Sequence, residues 1–137
     1  MPLLANDSQG GLTRKRVETY VALQEKVTIV AATDAATVQT SADLAGAGEV
    51  VYTMTPSAAR ALTTPTGALL GAAFTDEAVG TSFRFTVVNL AAATHAITLT
   101  AGASGVTLSG VATVPANTSA HFVGVFTAAN TVTIFRS

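Results

Sequence analysis

The sequence predicts an all-β fold: an antiparallel, jelly-roll-like sandwich or small barrel, with one short helix and an extended N-terminal arm. Three observations predict it. Runs of β-branched and aromatic residues recur between turn-prone segments at a spacing of roughly 8–12 residues, the pattern of sandwiches and small barrels. Hydrophobic residues make up 49% of the 137 residues and Asp, Glu, Lys and Arg only 11%, against roughly 25% charged in an ordinary soluble domain. Polarity comes instead from Thr and Ser, and the β-branched Thr fits a pleated surface. Finally, residues 85–135 contain no Asp, Glu, Lys or Arg, so strand edges there lack the charges that usually block edge-to-edge pairing. Such edges need cover, and a homotrimer is the expected form.

Along the chain, residues 1–25 read as an N-terminal arm and lead-in, and residues 26–137 as a single β domain large enough for its own core. The arm holds Asp7, Arg14, Lys15, Arg16, Glu18 and Glu25, with a polar, glycine-containing stretch at residues 6–11 and no apolar period. Residues 26–30 (KVTIV) and 49–53 (EVVYT) read as strands, with residues 60–64 as a short edge strand. Thr64 is placed to cap a helix that begins at Pro65. Ala68, Leu69, Ala72 and Ala73 follow at helical spacing, giving a helix over residues 65–74. Phe83, Phe85 and Val87 alternate with Arg84, Thr86 and Val88, the period of a strand. Further strands follow at residues 97–100, 106–108, 111–114, 120–126 and 131–136, separated by turn signals such as Gly102 to Gly105.

Constellations for catalysis are missing. Cysteine is absent and there are two histidines; neither His95 nor His121 has a second metal ligand at short spacing. His121 and Phe122 fall on opposite faces of their strand. There is no G-x-S-x-G elbow and no glycine-rich phosphate cradle. Gly102-Ala103-Ser104-Gly105 reads as a hairpin loop, and the adjacent Asp76 and Glu77 as solvated loop acids. The expectation is a protein that is not an enzyme and uses no cofactor or metal.

The net charge of −1 gives no bulk attraction to nucleic acid or anionic lipid. No apolar run approaches the ~18–20 residues of a membrane-spanning helix. The basic cluster Arg14-Lys15-Arg16 follows the first apolar residues, the wrong order for a secretory signal. That cluster reads either as the anchor of a flexible arm or as part of a solvated tail. In the anchor reading, Leu3 and Leu4 add apolar contacts beside Arg14, Lys15 and Arg16, with the arm joining an exposed sheet edge of the partner.

From Thr55 onward the chain carries "TPSAARALTTPTGALLGAAF", "VGTSFRFTVVNL" and "AITLTAGASGVTLSGVATVPANTSAHFVGVFTAANTVTIFRS". This resembles a module of bacteriophage virion proteins, most of all capsid decoration (cement) proteins. In that module a Pro-Thr-x-x-x-Leu helix precedes a VG-x-S-F-x-F-x-V-x-N strand, a hairpin and a closing strand. The resemblance implies a jelly-roll-like fold with three-fold assembly, bound to the major capsid protein and stabilising the shell. It places the protein on the virion, at the capsid surface, after synthesis in the host cytoplasm. It supplies no catalytic residues. The alternative is a head- or tail-fibre adhesin module that binds host-surface glycans. The absence of Trp and the presence of only two Tyr give that alternative little to stack on sugars.

Overall fold

A computed structural model describes residues 26–46, 48–74 and 77–137; the expected N-terminal arm lies outside these. Ten strands and two helices follow in order: β1 Val27–Ala31, β2 Thr37–Val38, α1 Ser41–Leu44, β3 Glu49–Met54, β4 Arg60–Thr63 and α2 Gly67–Ala73. Then come β5 Ser82–Asn89, β6 Ile97–Thr100, β7 Val106–Ser109, β8 Thr113–Val114, β9 Thr118–Ala128 and β10 Thr131–Arg136. The protein is mostly β, with two mixed sheets and no closed barrel among the described residues.

The large sheet has the order β1-β3-β5-β9-β10-β7 and the small one β2-β4-β6-β8. From β1 to β9 the chain changes sheet at every connection. As far as β7 it returns to each sheet on every second strand running in the same direction, which makes β1, β3 and β5 parallel neighbours, and β2, β4 and β6 likewise. The direction reverses at β8 and β9 and again at β10, so β7 lies parallel to β10. The expected antiparallel arrangement holds only at β5–β9, β9–β10 and β6–β8. A parallel pair needs a crossover connection, and here the crossover is a strand of the other sheet.

Three local expectations change accordingly. Residues 102–105 do not turn a hairpin: β6 belongs to the small sheet and β7 to the large one. β4 is paired on both sides and is no edge strand. A second helix, α1, follows β2, its N-terminus capped by the Thr40 side chain, which accepts from the Asp43 amide at 3.3 Å. In α2 the capping residue is Thr66, whose hydroxyl accepts from the Leu69 amide at 3.3 Å. Thr64 is buried and its hydroxyl instead accepts from the Gly102 amide at 2.8 Å, so it is not free to cap.

Both sheets contribute to one core. Val50, Tyr52, Met54, Phe85, Val87, Phe122, Phe126, Val132 and Ile134 come from the large sheet, and Leu62, Ile97, Leu99 and Val114 from the small one. Strand alternation sends every second side chain inward, and the burial of β3, β5, β9 and β10 follows that period. The "V-x-N" ending of β5 has a structural job. Asn89 is buried, its amide donates to the carbonyls of His95 (2.8 Å) and Val114 (3.0 Å), and its oxygen accepts from the Ala91 amide at 3.0 Å. One side chain thereby ties the end of β5 to the β5–β6 loop and to β8 in the small sheet.

At one end of the molecule the loops after β1 and β3 are pinned by Asp34. Its carboxylate accepts from Arg60 Nε at 2.7 Å, from the Ser57 hydroxyl at 2.5 Å and from the Ser57 amide at 3.1 Å. The Arg60 guanidinium, helped by Ser57, holds the Asp34 carboxyl well below the usual carboxylate range. Because the folded state keeps this acid ionised, its stabilising contribution is fully present above the ordinary carboxylate value of 3.8. It is lost as acid protonates the group. In urea unfolding between pH 7 and pH 2, the advantage of the unaltered protein over Asp34→Asn should be largest near neutrality and shrink below about pH 4. A difference independent of pH would show that the carboxylate charge is not what pins these loops.

Candidate interaction face on the six-stranded sheet

With the inner face of the large sheet in the core, its outer face is built from the alternate residues of the same strands. Ladder register aligns Val27, Glu49, Arg84, Val123 and Phe135 in one row across β1, β3, β5, β9 and β10. The next row holds Ile29, Val51, Thr86 and His121, and a third holds Ala31, Thr53, Val88 and Ser119. Val27 and Ile29 are 63% and 71% exposed and Phe135 is 44% exposed, while Val51, Val88, Val123 and Val125 are half-buried. The outer face of the small sheet contrasts with this. Thr63, Thr98, Thr100 and Thr113 cover it with hydroxyls, and Val38 is its exposed apolar side chain.

A polar cluster sits in the middle of the apolar face. Thr86 donates its hydroxyl proton to Glu49 Oε2 in a short hydrogen bond. His121 Nε2 lies 3.2 Å from the same Thr86 oxygen and 3.5 Å from Glu49 Oε2. Strands β3, β5 and β9 are thus joined on their outer side by one threonine, with the carboxylate and imidazole folded over it. Thr86 itself is buried beneath them.

This cluster does not have the geometry of a nucleophile–histidine–acid relay. A relay needs the two imidazole nitrogens on different partners, one on the nucleophile and one on the acid. Here both nitrogens face the Thr86 oxygen, at 3.2 and 3.4 Å, and the threonine proton goes directly to the carboxylate. The arrangement holds one carboxylate in place on an apolar surface. Among the described residues no group of three His, Cys, Asp or Glu side chains is placed to hold a metal ion, and no helix is long and apolar enough to cross a membrane.

The described residues line two depressions. One, of about 240 Å³, is lined by Gly48, Glu49, Ser82, Phe83 and Arg84. The other, of about 440 Å³, is lined by Gly110, Val111, Thr113, Pro115 and Arg136. In the second the Arg136 guanidinium is already committed to the carbonyls of Val111 (3.2 Å) and Thr113 (2.7 Å). This second depression is open to solvent, unlike the clefts that enclose most of a small ligand.

The sequence-predicted site residues Leu3, Leu4, Arg14, Lys15 and Arg16 lie outside the described residues, as does Asp76. Glu77 is half-buried rather than solvated. His121 is exposed and Phe122 buried, as the alternation required. Sequence reasoning did not bring Glu49 and Thr86 to His121, because the three are joined only by register between strands far apart in the chain. A signal was present nonetheless. Residues 50–52 (VVY) and 122–126 (FVGVF) are unbroken apolar runs, the composition of strands covered on both faces. No family model, curated protein or solved structure matches the chain.

Proposed function

We propose that the chain is a bacteriophage capsid decoration (cement) protein, which binds the major capsid protein on the outer shell as an oligomer and stabilises that shell. The observation that carries an assembly role is the outer face of the large sheet. Exposed Val27 and Ile29 on one side and Phe135 on the other flank Glu49, Arg84 and His121 there, in a chain with few charges to spend on solubility. Several large apolar side chains exposed on one sheet face mark an interaction site.

Magnitudes favour an oligomer over a single copy. Fully burying a Val, Ile or Phe side chain contributes about 1.5–3 kcal/mol, and less when it starts partly covered. Three such side chains barely offset the roughly 4–15 kcal/mol that association costs in lost freedom. Several linked copies on a repetitive lattice pay this only once in full, so weak contacts add up to stable occupancy. The glycan-binding alternative draws no support from Tyr52, whose ring is buried.

The test is imaging of virions carrying a bulky tag after Ser137, with shell rupture under heat measured with and without the protein. Shell-wide density and rupture at a higher temperature are expected. Density confined to one vertex would move the protein to the adhesin class, and particles free of density would overturn the assignment to the virion.

A further inference from the structure

We infer that the outer face of the large sheet is a self-complementary surface that docks a second copy of this chain across a two-fold axis. The inference rests on the assembly reading above, to which it adds the identity of the partner. Its basis is the placement of charge. Glu49 and Arg84 are direct neighbours in the ladder, on β3 and β5. Among the described residues, though, Arg84 makes no ion pair, while Glu49 is turned toward Thr86 and His121. Each protomer therefore presents one carboxylate and one guanidinium side by side, on a face whose other residues are Val, Ile, Thr, Ala, Phe, Ser119 and His121.

A two-fold contact between such faces has its axis in the plane of the interface. An axis perpendicular to the strands, along the row of Glu49, would set Glu49 against Glu49 and Arg84 against Arg84, which is repulsive. An axis parallel to the strands and between β3 and β5 sets Glu49 of each copy against Arg84 of the other. The same operation places Val27 over Val123 and Val51 over Thr86, from the rows given above. Charge selects this second axis. Sheets of equal twist pack face to face at about −30°, which leaves the central rows in register and splays the outer ones. The strand edges of β7, β2 and β8 stay free for contacts of other symmetry, so this pairing does not use up the surfaces available for attachment to a shell.

The patch is small. Four strands at about 4.8 Å and three rows at about 6.7 Å give roughly 390 Å² per copy, below the ~800 Å² per partner of a standard interface. The pair is accordingly weak in dilute solution and salt-sensitive.

Sedimentation velocity at protein concentrations from about 10 μM to 0.5 mM tests it. The unaltered protein should self-associate at the upper end. Arg84→Glu and Glu49→Arg should each weaken this at least about tenfold, since both cross-copy pairs become repulsive. An equimolar mixture of the two variants should associate again, because one then carries two acids and the other two bases. Arg84 is exposed, so Arg84→Glu keeps the fold. If Glu49→Arg fails to fold, Arg84→Glu alone must abolish the salt-sensitive association. A protein that stays monomeric at 0.5 mM, or variants that associate as well as the unaltered chain, would overturn the inference and leave the face to the shell or to residues 1–25. Shell occupancy is read separately on virions, so loss of pairing with normal decoration sinks the two-fold contact alone.

Discussion

Replacing Phe85 by Ala should cost about 3–5 kcal/mol of folding stability. Phe85 lies on β5 at the middle of the large sheet and is completely buried. Its ring stacks on Phe122 of β9 at 5.2 Å and on Phe83 at 6.4 Å, and meets the edge of Tyr52 on β3 at 6.2 Å. It therefore joins three strands that are distant in sequence. Domains of this size have about 5–15 kcal/mol in total, so the variant should melt roughly 15 °C or more below the parent. Phe85→Leu retains most of the volume and should lose clearly less. Urea unfolding followed by circular dichroism measures both. A loss below about 1.5 kcal/mol for Phe85→Ala would mean that the centre of the large sheet can collapse around the gap and is not tightly packed.

Local structure was far more legible in the sequence than connectivity. The ends of β6 and β10 coincide with their expected ranges, and β3, β5 and β9 differ from theirs by only a few residues. Alternation is a property of one strand and its own two faces, so the sequence can display it. Whether Gly102 to Gly105 reverses the chain within a sheet or carries it to the other sheet depends on partners far away, and the same turn chemistry serves both. That ambiguity produced the antiparallel expectation. The two-residue β2 and the α1 helix lie in an Ala-, Thr- and Asp-rich stretch with no period long enough to show. Tertiary bonds also overrode a local signal at Thr64, which looks like a helix cap until the Gly102 amide claims its hydroxyl.

The candidate site divides in the same way. His121 could be placed on the outward side of its strand, and the charge-free span that includes β9 and β10 up to Phe135 pointed to a surface needing cover. The cluster of Glu49, Thr86 and His121 was invisible, since it requires the register of β3 against β5 and of β5 against β9. A parallel ladder between segments 35 positions apart, Glu49 with Arg84, leaves no short-range trace. The self-complementary charge pattern follows from that same ladder and from nothing local.

Gly67→Ala should destabilise the protein by about 3 kcal/mol, although helix propensity predicts the opposite sign. Gly67 opens α2, where replacing Gly by Ala would ordinarily favour the helix. Here its Cα lies against the backbone of two other segments. A β-carbon would run into the Asn130 carbonyl oxygen of the β9–β10 turn and stand 2.8 Å from the Gly105 carbonyl oxygen. Neither can yield easily. Gly105 has φ +76 and accepts from the Val132 amide at 2.8 Å, while Asn130 sits at φ 55 in the tight turn. Gly71, one turn later, provides the control. A β-carbon there would meet side-chain atoms, Asn130 Oδ1 and, at 2.8 Å, Glu77 Oε1. Asn130→Gly removes the first of these and suits the left-handed backbone of that turn. It should therefore recover much of the loss in Gly71→Ala but none of the loss in Gly67→Ala, because glycine carries the same carbonyl. Thermal unfolding of the two single and two double variants decides between them. Rescue of Gly67→Ala by Asn130→Gly would show that the obstacle is the asparagine side chain, and that α2 and the β9–β10 turn are not locked backbone to backbone.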